Sequence, residues 1–262
     1  MLKEIFARIF SDIPSDKTIG LFSFAHFVYI FASIIFCFIL FIIFHNKTLN
    51  TKIKLQRVIS IILISVYIFD FFVQPIYFGE MRVGKLPFHL CTILGCLAPI
   101  ASFNKKLQKV QPHLAILAFL ASLIFIIFPG NYLDQFAKPY SYTFIQTFSF
   151  HILLLFWGLW SIYLNLNKYK IKDFWIPILI LLLFATWATF GNHLYYGNEL
   201  GENFMFMKVD IFSMMGIPNS LWHTILFSLS SIILFLIYLI LSAINKKNKT
   251  NDQHELNESY NK

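Results

Sequence analysis

Apolar residues occur along this chain in blocks of about twenty, and short polar segments separate the blocks. One α-helix of about twenty apolar residues crosses the hydrocarbon core of a bilayer. We therefore predict an all-α fold, a polytopic transmembrane helical bundle with seven spans. The predicted spans are residues 20–44, 55–78, 86–103, 109–128, 142–164, 173–196 and 219–243.

The two ends of the chain differ from this pattern. Residues 1–19 carry Ile and Phe at helical spacing against Lys3 and Arg8, which predicts a short helix on the membrane surface. Residues 244–262 are polar, and we expect a disordered cytoplasmic tail there. Residues 20–243 then form the seven-helix transmembrane domain.

Composition and charge agree with a membrane protein. Hydrophobic residues make up 58% of the 262 residues and charged residues 13%, more apolar surface than a water-soluble fold of this size would bury. The net charge of +8 does not indicate nucleic-acid binding, because the basic residues lie in short runs between the apolar blocks. We expect membrane lipids as partners, no nucleic acid, and a multi-pass location in the cell membrane.

The basic residues also predict an orientation. Of the 21 Lys and Arg residues, 14 lie in alternate loops (45–57, 104–109 and 165–172) or in the C-terminal tail. Loops rich in Lys and Arg stay on the cytoplasmic side of a membrane. The N-terminus is therefore expected outside and the C-terminus inside.

Four ionisable residues lie inside four different predicted spans: His26, Asp70, His89 and His151. The helical rise places them about 5–14 Å from the outer boundary. An ionisable side chain facing acyl chains costs several kcal/mol, so we expect the four to share one polar pocket. For a single histidine, and for His26 in particular, a purely structural hydrogen bond between helices stays an alternative.

Three more polar residues accompany Asp70 on its helix. Tyr67, Gln74 and Tyr77 stand at i−3, i+4 and i+7 from it, which places them on the same helical face. We expect this stripe to line the predicted pocket.

Two cysteines follow His89 in the stretch LPFHLCTILGC. On a continuous helix Cys91 would point about 200° away from His89, and Cys96 would lie within about 20° of it. Cys96 is thus the better candidate for the pocket, although a buried free cysteine often serves only as a small apolar residue. Zinc or iron held by the three histidines and Asp70 is another alternative. No HxxxH or CxxC motif supports it, so we expect no metal and no cofactor.

Four segments resemble one family when taken together. They are FSFAHFVYIF around His26, LPFHLC around His89, FIQTFSFHILLL around His151 and GENFMFMKVDIFSMMGIPNSLW around Asn203. In this order they resemble hallmark segments of the YwaF-like bacterial integral membrane proteins over about residues 20–240. That family is similar to eukaryotic transmembrane protein 164, a lipid acyltransferase, and more remotely to androgen-induced membrane hydrolases of fatty-acid esters.

The resemblance implies a helical bundle with a nucleophile on one helix and a catalytic histidine on another. The histidine corresponds to His151, whereas the eukaryotic cysteine corresponds to Phe88, so Cys91 or Cys96 would have to act from a different position. The first hypothesis is therefore an intramembrane acyltransferase or hydrolase acting on lipid acyl esters, with His151 as the general base. The alternative is a non-catalytic carrier or receptor for a small polar ligand.

Each remaining candidate residue has an expected role in the enzyme hypothesis. Cys96, Cys91 or a water would be the nucleophile, and His89 or Asn203 would polarise the carbonyl. Asp70 would orient a histidine. The residues expected to bind substrate are His26, Tyr67, Gln74, Tyr77 and Asn203.

Overall fold

The computed structural model describes residues 20–78, 86–129, 141–194, 204–207 and 218–260. These residues form seven α-helices and four short 3-10 helices, without a β-strand among them. The α-helices are α1 (Phe24–Phe44), α2 (Leu49–Phe78), α3 (Leu90–Phe103), α4 (Gln111–Ile127), α5 (Tyr142–Leu164), α6 (Trp175–Leu194) and α7 (Asn219–Tyr260). The 3-10 helices are Leu107–Lys109, Leu166–Lys168, Ile171–Asp173 and Phe204–Phe206.

The all-helical prediction is confirmed, and so is the membrane character of the chain. Among the described residues, five helices (α1, α2, α5, α6 and α7) are long and apolar enough to cross a membrane. Helices α3 and α4 are apolar but have only 14 and 17 residues. Fourteen residues rise about 21 Å, less than the roughly 30 Å of a hydrocarbon core. Seven crossings and the orientation of the termini stay predictions.

Helix α3 begins later than the predicted span 86–103. The backbone N–H of Phe88 donates to Leu86 O (2.8 Å), and His89 has extended dihedral angles (φ −80°, ψ 144°) at the N-cap. Pro87 also disfavours a helical conformation at Leu86, the residue before it. Because the dihedral angles of His89 are extended, this residue precedes the helix, and the helical angles predicted between His89 and the two cysteines do not apply.

Helix α7 continues to Tyr260, past the predicted end of the last span at residue 243. The polar segment predicted to be disordered is thus helical as far as Tyr260. Extending an existing helix avoids the cost of nucleation, and this helix contains no glycine or proline. The predicted surface helix at residues 1–19 lies outside the described residues.

Helix α5 lies at the centre of the bundle, where it packs against α4, α2, α1 and α3. Its two buried tryptophans donate ring N–H bonds to neighbouring helices, Trp157 to Ser102 Oγ and Trp160 to Lys52 O (both 3.0 Å). By contrast, α1 and α7 expose many large apolar side chains, which in a bilayer face the acyl chains. The site residues on α5 therefore lie in the most enclosed part of the fold.

Candidate functional site

His151 lies in the middle of α5 and is only 7% exposed. Its Nδ1 is 2.7 Å from Thr147 O. A carbonyl oxygen only accepts hydrogen bonds, so Nδ1 carries the proton, and Nε2 of the neutral ring carries the lone pair. Phe125 stacks on the imidazole (3.6 Å between ring centroids, 12°) and Phe150 meets its edge (5.5 Å, 82°). The ring is thus fixed with Nε2 as the atom that can take a proton.

The local sequence explains this orientation. Ser141 caps α5, its hydroxyl accepting a bond from the backbone N–H of Phe144 (3.3 Å). The helix then places residue 147 one turn before His151, where its carbonyl points along the helix toward the imidazole. A backbone acceptor of this kind has no side-chain signature in the sequence.

Asp70 on α2 belongs to a second polar cluster and is 1% exposed. Tyr142 on α5 is close enough to this carboxyl group to interact with it electrostatically. Tyr67 is close enough to interact electrostatically with both Asp70 and Cys96. The structure thus brings together three residues selected from the sequence, and adds Tyr142, which is the first residue of α5. The position of Tyr142 at a helix start, across from Asp70, could not be read from the chain.

Phe150 connects this cluster to His151. Its ring centroid is 6.2 Å from that of Tyr67 and 5.5 Å from that of His151. Gly95 on α3 makes room for this ring, because a Cβ there would lie 2.5 Å from Phe150 Cζ. Helices α2, α3 and α5 therefore meet around one phenylalanine that contacts both groups.

His26 is fully buried and both its ring nitrogens bond to backbone groups. The N–H of Phe22 donates to Nδ1 (3.1 Å), so Nε2 carries the proton and donates to Ile126 O (2.9 Å). These bonds tie the start of α1 to the end of α4. They give His26 a structural role, and its part in substrate binding stays a prediction.

We expect His26→Ala to lower the thermal stability of the purified protein. Each buried backbone group that loses its hydrogen-bond partner costs about 1–3 kcal/mol. The measurement is the unfolding temperature in detergent, compared with His193→Ala, since His193 on α6 is exposed. Equal unfolding temperatures for the two variants would contradict a structural role for His26.

His89 contacts a short segment that folds over one end of the bundle. Its ring meets the Phe204 ring edge-on (4.9 Å, 69°). Asn192, 8% exposed, holds the backbone of Phe204 on both sides: Phe204 N donates to Oδ1 (2.8 Å), and Nδ2 donates to Phe204 O (3.2 Å). His223 Nε2 is 2.9 Å from Met207 O. The sequence analysis did not select Asn192 as a site residue. The feature that could have indicated it is a side-chain amide near the end of an apolar helix.

The remaining predicted site residues are Asn203, Gln74, Tyr77 and the two cysteines. Asn203 and the side chains of Gln74 and Tyr77 lie outside the part of the chain that is described. Cys91 packs against the hydrophobic core, and Cys91 and Cys96 are free thiols. Within the described ranges, no three His, Cys, Asp or Glu side chains are grouped so that they could hold a metal ion.

Comparison with known proteins places these residues in a family. The model of the TMEM164 family matches residues 21–241, which include every site residue discussed above. Neither the curated proteins nor the solved structures gave a match. The matched region covers most of the 262 residues, so the chain belongs to the TMEM164 family.

Proposed function

We propose that this chain is an enzyme of the cell membrane that hydrolyses or transfers the acyl group of a lipid ester. The observation that carries the proposal is the fixed orientation of His151. Its Nδ1–H is held by Thr147 O, so Nε2 is the basic atom, on a ring that stacks on Phe125 and is 7% exposed. Membership of the TMEM164 family supports the same class of chemistry.

The proposed reaction moves one proton through Nε2 of His151. This atom takes the proton of a water or of an acceptor hydroxyl, whose oxygen attacks the ester carbonyl carbon. The tetrahedral intermediate then breaks the C–O bond to the leaving alkoxide, which receives the proton back from the imidazolium. Water yields a fatty acid and a lysolipid, whereas an acceptor hydroxyl yields a new ester. Cys96 or Cys91 as nucleophile would divide the same exchange into two steps.

Asp70 keeps its proposed role of orienting a histidine. For His151, the backbone carbonyl of Thr147 already holds the Nδ1 proton. The described residues that interact electrostatically with Asp70 include Tyr142 and Tyr67. His89 or Asn203 keeps the proposed task of polarising the carbonyl.

The test is product formation by the purified protein in phosphatidylcholine vesicles. One acyl chain of the phospholipid is radiolabelled, and a lysophospholipid is supplied or omitted. We expect labelled fatty acid without the acceptor, or labelled new diacyl lipid with it, and neither in vesicles without protein. Absence of both products, together with thermal stabilisation by a small polar solute, would overturn the enzyme proposal in favour of a carrier or receptor.

A further inference from the structure

Arg57 on α2 is a half-buried arginine whose guanidinium is held in one orientation at the end of α3. Its Nε–H donates to the backbone carbonyl oxygen of Ser102 (3.3 Å), and its Cζ lies 5.2 Å from the centre of the Phe103 ring. Ser102 is itself fixed, because it is 3% exposed and its hydroxyl accepts the ring N–H of Trp157 (3.0 Å). The buried core thus sets the direction of a positive charge.

The outer part of this guanidinium has no acceptor within the described residues. Arginine carries five N–H donors in a planar fork, and the bond to Ser102 uses one of them. The acidic side chains that the structure describes are Asp70 and Asp173. Asp70 stands 13 residues from Arg57 on α2, about 20 Å along the helix, and Asp173 interacts with His113. The two Nη groups of Arg57 are therefore available to a ligand.

Three exposed lysines lie close to the fork. Lys54 is three residues before Arg57 on α2, and residues at this spacing are neighbours, with Cβ atoms about 5–6 Å apart. Lys105 and Lys106 follow in the turn that ends α3, and the Cα of Lys105 is at most about 7 Å from that of Phe103. Because like charges repel, an anion shared by these side chains would stabilise the cluster.

A phosphate group fits this arrangement. Two parallel N–H groups of arginine match two phosphate oxygens, and such charged bonds are about twice as strong as neutral ones. Basic clusters at the ends of membrane helices bind the headgroups of anionic lipids. The apolar sequence of α3 gives way to Asn104, Lys105 and Lys106 at this point, which places the cluster at the level of the lipid headgroups.

A general excess of basic residues at one membrane face would not require such a site. That excess depends on the number of Lys and Arg residues in the loops, whatever their orientation. It predicts that lysine can replace arginine and that every basic residue at this face contributes alike. An oriented fork predicts that Arg57 has a larger effect than other basic residues, and that lysine cannot replace it.

We propose that Arg57 binds the phosphate of an anionic phospholipid, together with Lys54, Lys105 and Lys106. The two Nη groups donate to two phosphate oxygens, and the three ammonium groups neutralise the remaining charge of the headgroup.

This site is distant from the proposed reaction centre. Gln56, the residue before Arg57, donates from Nε2 to Ser161 Oγ on α5. Ser161 comes ten residues after His151, about 15 Å along that helix. The bound lipid is thus a ligand of the bundle at its other end, and the inference does not depend on the proposed enzyme activity.

The test is native mass spectrometry of the purified full chain in a neutral detergent, titrated with phosphatidylglycerol or with phosphatidylcholine of the same acyl chains. We expect the first phosphatidylglycerol to bind about tenfold more tightly, equivalent to about 1.4 kcal/mol. The two lipids share the phosphate and the chains, whereas the choline cation is repelled by the lysines. Equal dissociation constants for the two lipids would overturn the proposal.

Two variants separate an oriented fork from net charge. Arg57→Lys keeps the charge but removes the fork, so it should abolish the preference for phosphatidylglycerol. Lys172→Gln removes an exposed charge between α5 and α6 and should keep that preference. A full preference in Arg57→Lys, or an equal loss in both variants, would refute the site.

Phe103→Leu is a third variant, which tests the orientation whether or not Arg57→Lys folds. It keeps an apolar side chain but removes the ring beneath the guanidinium, so the preference should weaken. An unchanged preference would refute the role of the fixed orientation.

Competition with glycerol 3-phosphate identifies the source of the phosphate. We expect this soluble compound to leave phosphatidylglycerol bound at equal concentration, because it lacks acyl chains. Displacement at equal concentration would overturn the assignment to a lipid. Binding is measured without turnover, so loss of the preference refutes this site alone, and absence of acyl turnover refutes the enzyme proposal alone.

Discussion

Replacing His151 by alanine is expected to lower acyl turnover about 10²–10⁴-fold, the usual contribution of a general base. The loss follows from the geometry of the ring. Thr147 O fixes the Nδ1 proton, and Phe125 and Phe150 hold the imidazole plane, so Nε2 is already oriented before substrate binds. Alanine removes the proton acceptor without introducing a charge or a bulky group into the core.

The assay is the conversion of radiolabelled phosphatidylcholine in vesicles, with protein amounts matched by size-exclusion chromatography. The control is His193→Ala, which removes an exposed histidine from α6. Retention of full turnover by a folded His151→Ala protein would remove His151 from the reaction. Turnover lost equally in both variants would point to a general effect on the protein instead.

The helices could be predicted from the sequence because the membrane imposes a local requirement. Residues 142–164 were predicted as a span and form α5 with the same bounds. An apolar block of that length must satisfy its backbone within the block, whatever surrounds it. The predicted start of α3 was wrong because contacts with distant parts of the chain fix the backbone there. The residues before α3 are held in place by Phe204 and Trp187, which pack on Phe88, and by the ring N–H of Trp187 on Pro87 O (2.9 Å).

The candidate site could be predicted only in part. Imidazole and carboxyl groups are costly to expose to the acyl chains, so His26, Asp70 and His151 were expected to face the inside of the bundle. All three are buried. Their partners could not be found in the same way, because Thr147 and Ile126 contribute backbone carbonyls, and Ile126 is 100 residues from His26. The described contacts give the three residues different neighbours. Whether one pocket unites them stays a prediction.

Gly158→Leu is expected to prevent folding of the bundle, and Gly158→Ala to destabilise it. A Cβ at Gly158 would lie 2.7 Å from Phe119 N and 2.9 Å from Ala115 O, both backbone atoms of α4. Small residues at such crossings let the backbones of membrane helices approach closely. A methyl group that forces packed helices apart lowers the free energy of unfolding by about 1–3 kcal/mol. The higher helix propensity of alanine raises it by only about 1 kcal/mol.

Two other glycines provide graded controls for this prediction. A Cβ at Gly20 meets nothing within 4 Å, so Gly20→Ala should leave the unfolding temperature unchanged. A Cβ at Gly95 meets only the end of the Phe150 side chain, which can rotate away, so Gly95→Ala should cost less stability than Gly158→Ala. Thermal unfolding in detergent should rank the variants in that order. An unfolding temperature for Gly158→Ala at or above that of Gly95→Ala would show that α4 and α5 are not in backbone contact at this position.

The Gly95→Ala variant has a second use, because displacing Phe150 disturbs the ring that contacts both His151 and Tyr67. It should therefore lower acyl turnover by a larger factor than its small loss of stability would explain.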